Sequence, residues 1–106
     1  MKKIEVLVFN GCPNVEATLA RVRESIALTK AEADLRVVCV NGEADAVRLR
    51  FLGSPTVRVD GVDVDPDARE RIDFGLQCRV YSFEGRFGAL PPEAWIAAAL
   101  LRGVDR

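Results

Sequence analysis

Two segments that are apolar on both faces, Lys3–Phe9 and Leu35–Val40, flank a helical stripe, and this order constrains the fold more than any other feature of the chain. In the first segment Ile4, Val6 and Val8 alternate with Leu7 and Phe9, so either side of a strand would carry hydrocarbon. Such a strand is covered on both faces, as in a sheet packed between helices. Between the segments, Val15, Leu19, Val22 and Ile26 recur at steps of four, three and four residues, with Arg21, Arg23 and Glu24 off the stripe. Strand, helix and strand in this order predict a right-handed βαβ unit with parallel strands.

The remainder extends that unit. Asn41 is a candidate cap for a short helix over Glu43–Leu52, with Val47 and Phe51 one turn apart and Gly53 ending it. Thr56–Val59 and Val62–Val64 enclose Asp60-Gly61, a strong short-range hairpin signal that makes these strands antiparallel. Pro91-Pro92 opens a last helix over Pro92–Arg102, with Trp95, Ile96, Ala99 and Leu100 as its core side and Gly103 closing it. Residues 65–90 are the least regular. Asp65–Asp73 is polar and loop-like, Cys78–Phe83 has the character of a short strand, and Arg86-Phe87 can pair back across a Glu84-Gly85 turn. The expectation is one α/β domain over 1–106, ordered β-α-β-α-β-β-α. Its mixed four-stranded sheet carries helices on both faces and an insert at about 65–90 before the last helix.

The totals exclude several functions. Fifteen Lys and Arg against sixteen Asp and Glu leave a net charge of −1, so no nucleic-acid partner is expected. No apolar run approaches the roughly 18–20 residues that span a bilayer, so no membrane partner is expected either. Met1-Lys2-Lys3 before Ile4–Phe9 imitates a secretory leader only briefly: Glu5 interrupts it and no small-residue cleavage site follows. The expected location is cytoplasmic. Histidine is absent, which removes Ser-His-Asp and Cys-His catalysis and His-containing zinc sites. Three cysteines, an odd number without a Cys-x-x-Cys pair, read as free thiols, and no metal or cofactor is expected. Thr18 stands where a Cys-x5-Arg phosphate loop starting at Cys12 would need arginine. Asp60, Asp63, Asp65, Asp67 and Asp73 read as turn-formers and solvated surface.

The chemistry-bearing candidate is Gly11-Cys12-Pro13-Asn14-Val15. Pro13 suits the first helical position, which makes Cys12 the expected N-cap. Its sulfur would then lie by unpaired amides and the positive end of the helix dipole, an environment that favours the reactive form of a thiol. Glu16, one turn in, works against this, and Val15 occupies the place of a second cysteine. Cys39, between Val38 and Val40, reads as an inert core thiol. Cys78 is an accessory candidate by topology. A third strand starting at the Cys12 end runs away from it, the hairpin returns the chain, and the insert emerges on the Cys12 side. Cys78 is therefore a candidate resolving cysteine.

Cys12-Pro13 after the first strand and Gly53-Ser54-Pro55-Thr56 before the third, in this element order, resemble the thioredoxin-like family over residues 3–64 and 91–102. More narrowly the chain is similar to small bacterial thioredoxin-like proteins, some of them selenoproteins. In these a Gly-Cys(or Sec)-Pro motif is followed by Gly-Ser-Pro-Thr-Val and a Cys-Arg-Val-Tyr-like segment, here Gly11–Pro13, Gly53–Val57 and Cys78–Tyr81. Relatives sometimes carry mercury-resistance or alkylmercury-lyase-like labels. The resemblance implies a thiol redox protein in which Cys12 attacks a disulfide, peroxide or other electrophile. Its partners would be a disulfide-containing protein or a small thiol or electrophile. It implies a cis Pro55 beside the sulfur, with Pro13, Ser54 and Pro55 shaping the substrate side and the Ser54 backbone pairing with the substrate's. Val15 departs from the family's dithiol pattern. Two other readings remain open: a non-catalytic binding module using the same groove, and capture of mercury or an organomercurial by Cys12 with Cys78.

Overall fold

A computed structural model of the protein describes residues 1–102. Its centre is β1 (Lys2–Phe9), whose backbone is paired on both sides. On one side it runs parallel to β2 (Ala33–Val40), and on the other antiparallel to β3 (Thr56–Val59), which pairs antiparallel with β4 (Val62–Asp63). The strand order is β2-β1-β3-β4. Helix α1 (Val15–Thr29) makes the crossover from β1 to β2, and α2 (Glu43–Arg48) connects β2 to β3. The described residues thus form an α/β fold with a mixed four-stranded sheet and three helices.

The two faces of β1 carry two separate cores. Ile4, Val6 and Val8 pack with Leu19 and Val22 of α1, with Val57 and Val59 of β3, and with Ile96, Ala99 and Leu100 of α3 (Glu93–Leu101). Leu7, one residue out of phase, packs on the opposite face with Val40, Ala46 and Phe51. The period-2 alternation of the first strand thereby decides which helix lies on which face.

Two expectations are corrected. The second strand is an edge strand, not a buried one: Arg36, Val37 and Cys39 are exposed and only Val40 of the strand is buried, because no strand among the described residues pairs with its outer side. Helix α2 ends at Arg48, four residues early. There Arg50 takes a left-handed φ of 55°, Phe51 N–H donates to the Ala46 carbonyl at 2.8 Å, and Arg50 N–H donates to Val47 at 3.1 Å. This is a Schellman ending, with Arg50 in the position usually held by glycine. Phe51, now outside the helix, folds back onto Ala46, while Val47 faces solvent.

The two hairpins form where expected. Asp60 (φ 52°) and Gly61 (φ 82°) turn β3 into β4, and Glu84 (φ 52°) and Gly85 (φ 78°) turn β5 (Tyr81–Phe83) into β6 (Arg86–Gly88). Both pairs are left-handed, as two-residue hairpin turns require. The insert between β4 and α3 consists of a 3₁₀ turn at Pro66–Ala68, an extended crossing at 76–80 and this second hairpin. Gly103, expected to close the last helix, lies outside the described residues.

Candidate functional site

The loop after β1 carries Cys12. Cys12 N–H donates to the Phe9 carbonyl at 3.3 Å, closing a turn before any helix can start. The first helical bond runs from Thr18 N–H to the Asn14 carbonyl at 3.1 Å, and the Thr18 hydroxyl donates to the same oxygen at 2.7 Å. Asn14, not Cys12, is therefore the N-cap, and Pro13 lies exposed before the helix instead of at its first position. The expected seat of the sulfur on the helix tip is corrected: Cys12 precedes the cap by two residues, and the dipole's influence falls off within a turn. Cys12 is half-buried, packed against the core on the α1 and α3 face.

The segment Gly53–Thr56 leads into β3 at the same end of the sheet, since Thr56 pairs with Leu7 near the end of β1. The Ser54–Pro55 peptide bond is cis, as the resemblance implied. Ser54 Oγ accepts from Phe9 N–H at 3.4 Å, tying this loop to the end of β1. The main chain of Ser54, however, is not open. Its N–H donates to the Gln77 carbonyl at 2.8 Å, and its carbonyl accepts from Arg79 N–H at 3.0 Å. Ser54 and Cys78 form a parallel β-bridge, and Ser54 is 1% exposed. The expectation that this backbone pairs with a substrate is overturned, because the protein's own insert already occupies it.

Gly53 shows how closely the insert lies. Its φ is +128°, and a Cβ there would stand 2.9 Å from the Gln77 carbonyl oxygen. Only a glycine allows the two backbones to approach this far.

A buried charge cluster locks the crossing in place. Arg79, whose side chain has no solvent exposure, donates from Nη1 to Asp63 Oδ2 and to Thr56 Oγ1, both at 2.9 Å, and from Nη2 to Asp63 Oδ1 at 3.3 Å. Asp65 Oδ2 lies 3.5 Å from Nη2. The guanidinium also sits 4.7 Å from the centre of the Tyr81 ring. The Tyr81 hydroxyl donates to the Pro55 carbonyl, and burial pushes this phenol well above its ordinary range. Behind it Trp95 meets Tyr81 and Phe83 edge-on, with ring centres 6.2 and 5.6 Å away, which anchors α3 to the insert.

Asp63 and Asp65, read from sequence as solvated turn residues, are thus the counter-ions of a buried arginine. The signal was present in the alternation of 78–83. Arg79, Tyr81 and Phe83 fall on the inward phase, and an inward arginine needs carboxylates.

The three cysteines are all free thiols. Cys78, beside Ser54, is exposed, so two of the expected site residues, Cys78 and Ser54, are brought together directly. Cys39 is also exposed, and its Sγ donates to Asn41 Oδ1 at 3.3 Å. The core placement expected for it fails with the burial of β2. Among the described residues no helix is long and apolar enough to cross a membrane. Compared with protein-family models, curated proteins and solved structures, the chain matches none.

Proposed function

We propose that the chain is a thioredoxin-like thiol redox protein in which Cys12 is the attacking thiol and Cys78 the resolving one. The observation that carries this reading is the bridge between Ser54 and Cys78. It holds an exposed thiol on the strand beside the loop that Ser54 ties to the end of β1, and the next residues of that end lead to Cys12. The strand order β2-β1-β3-β4, with helices on both faces and a cis proline before β3, supports the thioredoxin-like assignment. Free thiols suit a reducing compartment such as the cytoplasm.

The cycle balances as thiol–disulfide exchange. Cys12 thiolate attacks one sulfur of a disulfide, forms a mixed disulfide and expels the other half as a thiolate. Cys78 thiolate then attacks the Cys12 sulfur, forms the Cys12–Cys78 disulfide and releases the second half. An external dithiol returns both cysteines to the reduced form. The substrate reaches Cys12 without pairing to Ser54, since both backbone groups of that residue are taken. This favours a small disulfide or electrophile over an extended peptide, and it weighs against a peptide-binding module in the same groove.

The test is oxidation by glutathione disulfide followed by disulfide mapping. Wild type is expected to accumulate a Cys12–Cys78 link, and Cys78→Ser a mixed disulfide held on Cys12. If Cys12 takes no glutathione in either protein, the redox reading is wrong. A stable mixed disulfide in wild type removes the resolving role of Cys78.

A further inference from the structure

On the α2 face of the sheet, β3 and the insert line a cavity of about 390 Å³ whose walls include none of the three cysteines. Its walls include Arg50, Arg58, Arg69 and Arg71 together with Phe74, and its one acidic lining residue is Asp63. The Asp63 carboxylate is already committed, with both oxygens on the buried Arg79 guanidinium. The wall is therefore strongly cationic.

Arg50, Arg58 and Arg69 are each held in place by something other than a carboxylate. Arg58, opposite Asp63 on β3–β4, donates through Nη2 to the Leu49 and Arg50 carbonyls, each at 2.8 Å. It thereby binds the end of α2 and is fixed against the sheet. Its partial burial pushes its pKa below the ordinary arginine value. Arg69 donates from Nε to the Asp63 carbonyl at 3.1 Å, which leaves the two amino groups of its fork available. Arg50 lies over the Phe74 ring at 4.9 Å, an arrangement that orients a guanidinium while leaving its edge open. Among the described residues, Arg50, Arg58 and Arg69 make no ion pair, and only Arg71 does, with Asp73.

From this convergence we infer that the cavity is a binding site for a small polyanion carrying phosphoryl or carboxylate groups, seated on Arg50, Arg58 and Arg69 against Phe74. Guanidinium forks match such oxygens in paired, charge-assisted hydrogen bonds, and the volume falls in the range of small-ligand pockets. Three guanidiniums ordered around one cavity repel one another until an anion enters, so the ligand relieves a cost built into the fold. The site is independent of Cys12, and its test does not depend on any thiol chemistry.

Isothermal titration with inorganic pyrophosphate and, separately, with citrate distinguishes a phosphoryl from a carboxylate ligand, with sodium chloride at matched ionic strength as the reference. Saturable one-to-one binding of pyrophosphate or of citrate is expected, with about tenfold weakening in each of Arg50→Asn and Arg69→Gln. Both residues are exposed, and Asn tolerates the left-handed backbone at position 50, so both variants keep the fold. Absence of saturable binding by either anion overturns the inference. So does binding that both variants retain at wild-type strength.

Discussion

Arg79 carries a full positive charge with no solvent contact, and the insert depends on it. Its guanidinium joins Asp63, Asp65 and Thr56, while its backbone N–H reaches Ser54, so one residue fixes both the side-chain and the main-chain side of the crossing. Its Nε–H alone lacks an acceptor among the described residues. Removing one partner of a buried pair leaves the other charge desolvated and uncompensated, which costs about 3–5 kcal/mol. Arg79→Met is accordingly expected to lose about that much in urea unfolding; a loss below ~1 kcal/mol would show that Asp63 and Asp65 find solvent without it. At Gly53 the conflict is steric, between a new Cβ and the Gln77 carbonyl 2.9 Å away in a left-handed backbone. Gly53→Ala should cost roughly 1–3 kcal/mol, with the crossing at 77–79 losing amide protection in hydrogen exchange. The alternation of 78–83 puts Arg79 on the inward phase, but neither its particular partners nor the close approach of Gln77 to Gly53 follows from the residues as a string.

Among the elements, α1 and α2 illustrate two ways in which a terminus escapes the sequence. The apolar stripe of α1 correctly predicts its inner face, with Leu19 and Val22 buried, but its start slips from Pro13 to Val15 because the Cys12–Phe9 turn comes first. The C-cap of α1 is Lys30, in a left-handed conformation of φ 56° and ψ 30°. That conformation costs a non-glycine residue roughly 1–2 kcal/mol, and glycine returns about 0.5–1 kcal/mol of this as lost chain entropy. Lys30→Gly is therefore expected to stabilise the protein by a few tenths to about 1 kcal/mol, read as a higher urea midpoint at unchanged slope. The hairpins were legible because Asp-Gly and Glu-Gly turns are local. The early end of α2 was not, since Arg50 at the left-handed position has no compositional signal and is held by Phe51 folding into the core.

Across the whole molecule, acid should act through carboxylates whose charged form is bonded in the fold. Hydrogen bonds from Arg71 lower Asp73 to about 2, and the Lys3 backbone N–H and the nearby Lys2 hold Asp60 below its ordinary value. Both values lie below those of the unfolded chain, so their stabilisation is present above about pH 4. It is lost as pH falls through the folded values. Glu93 runs the other way: a hydrogen bond with Glu24 raises it, linking α3 to α1. Its contribution is complete below the ordinary glutamate value and disappears as pH rises through the raised one. The melting temperature is thus expected to fall modestly from pH 4 to pH 2, since both carboxylates are exposed and their ion pairs are screened by solvent. Glu93→Gln should flatten the decline that the Glu24 contact adds above pH 4.5, and an unaltered profile would show that the two carboxylates do not share a proton.

What the sequence determined by itself was everything carried by short-range pattern: the two-sided apolar strands, the stripe of α1, the hairpin turns and hence the order of elements in an α/β sheet. Local sterics and hydrophobic period specify these without knowledge of the rest of the chain. Only the tertiary structure decided that β2 is an edge, that Cys39 is exposed and Cys12 lies short of the helix tip, and that the insert closes over Ser54 while gathering four arginines at one cavity. Each of these depends on which distant backbone supplies the hydrogen-bond partner or counter-charge, and a linear pattern does not contain that information.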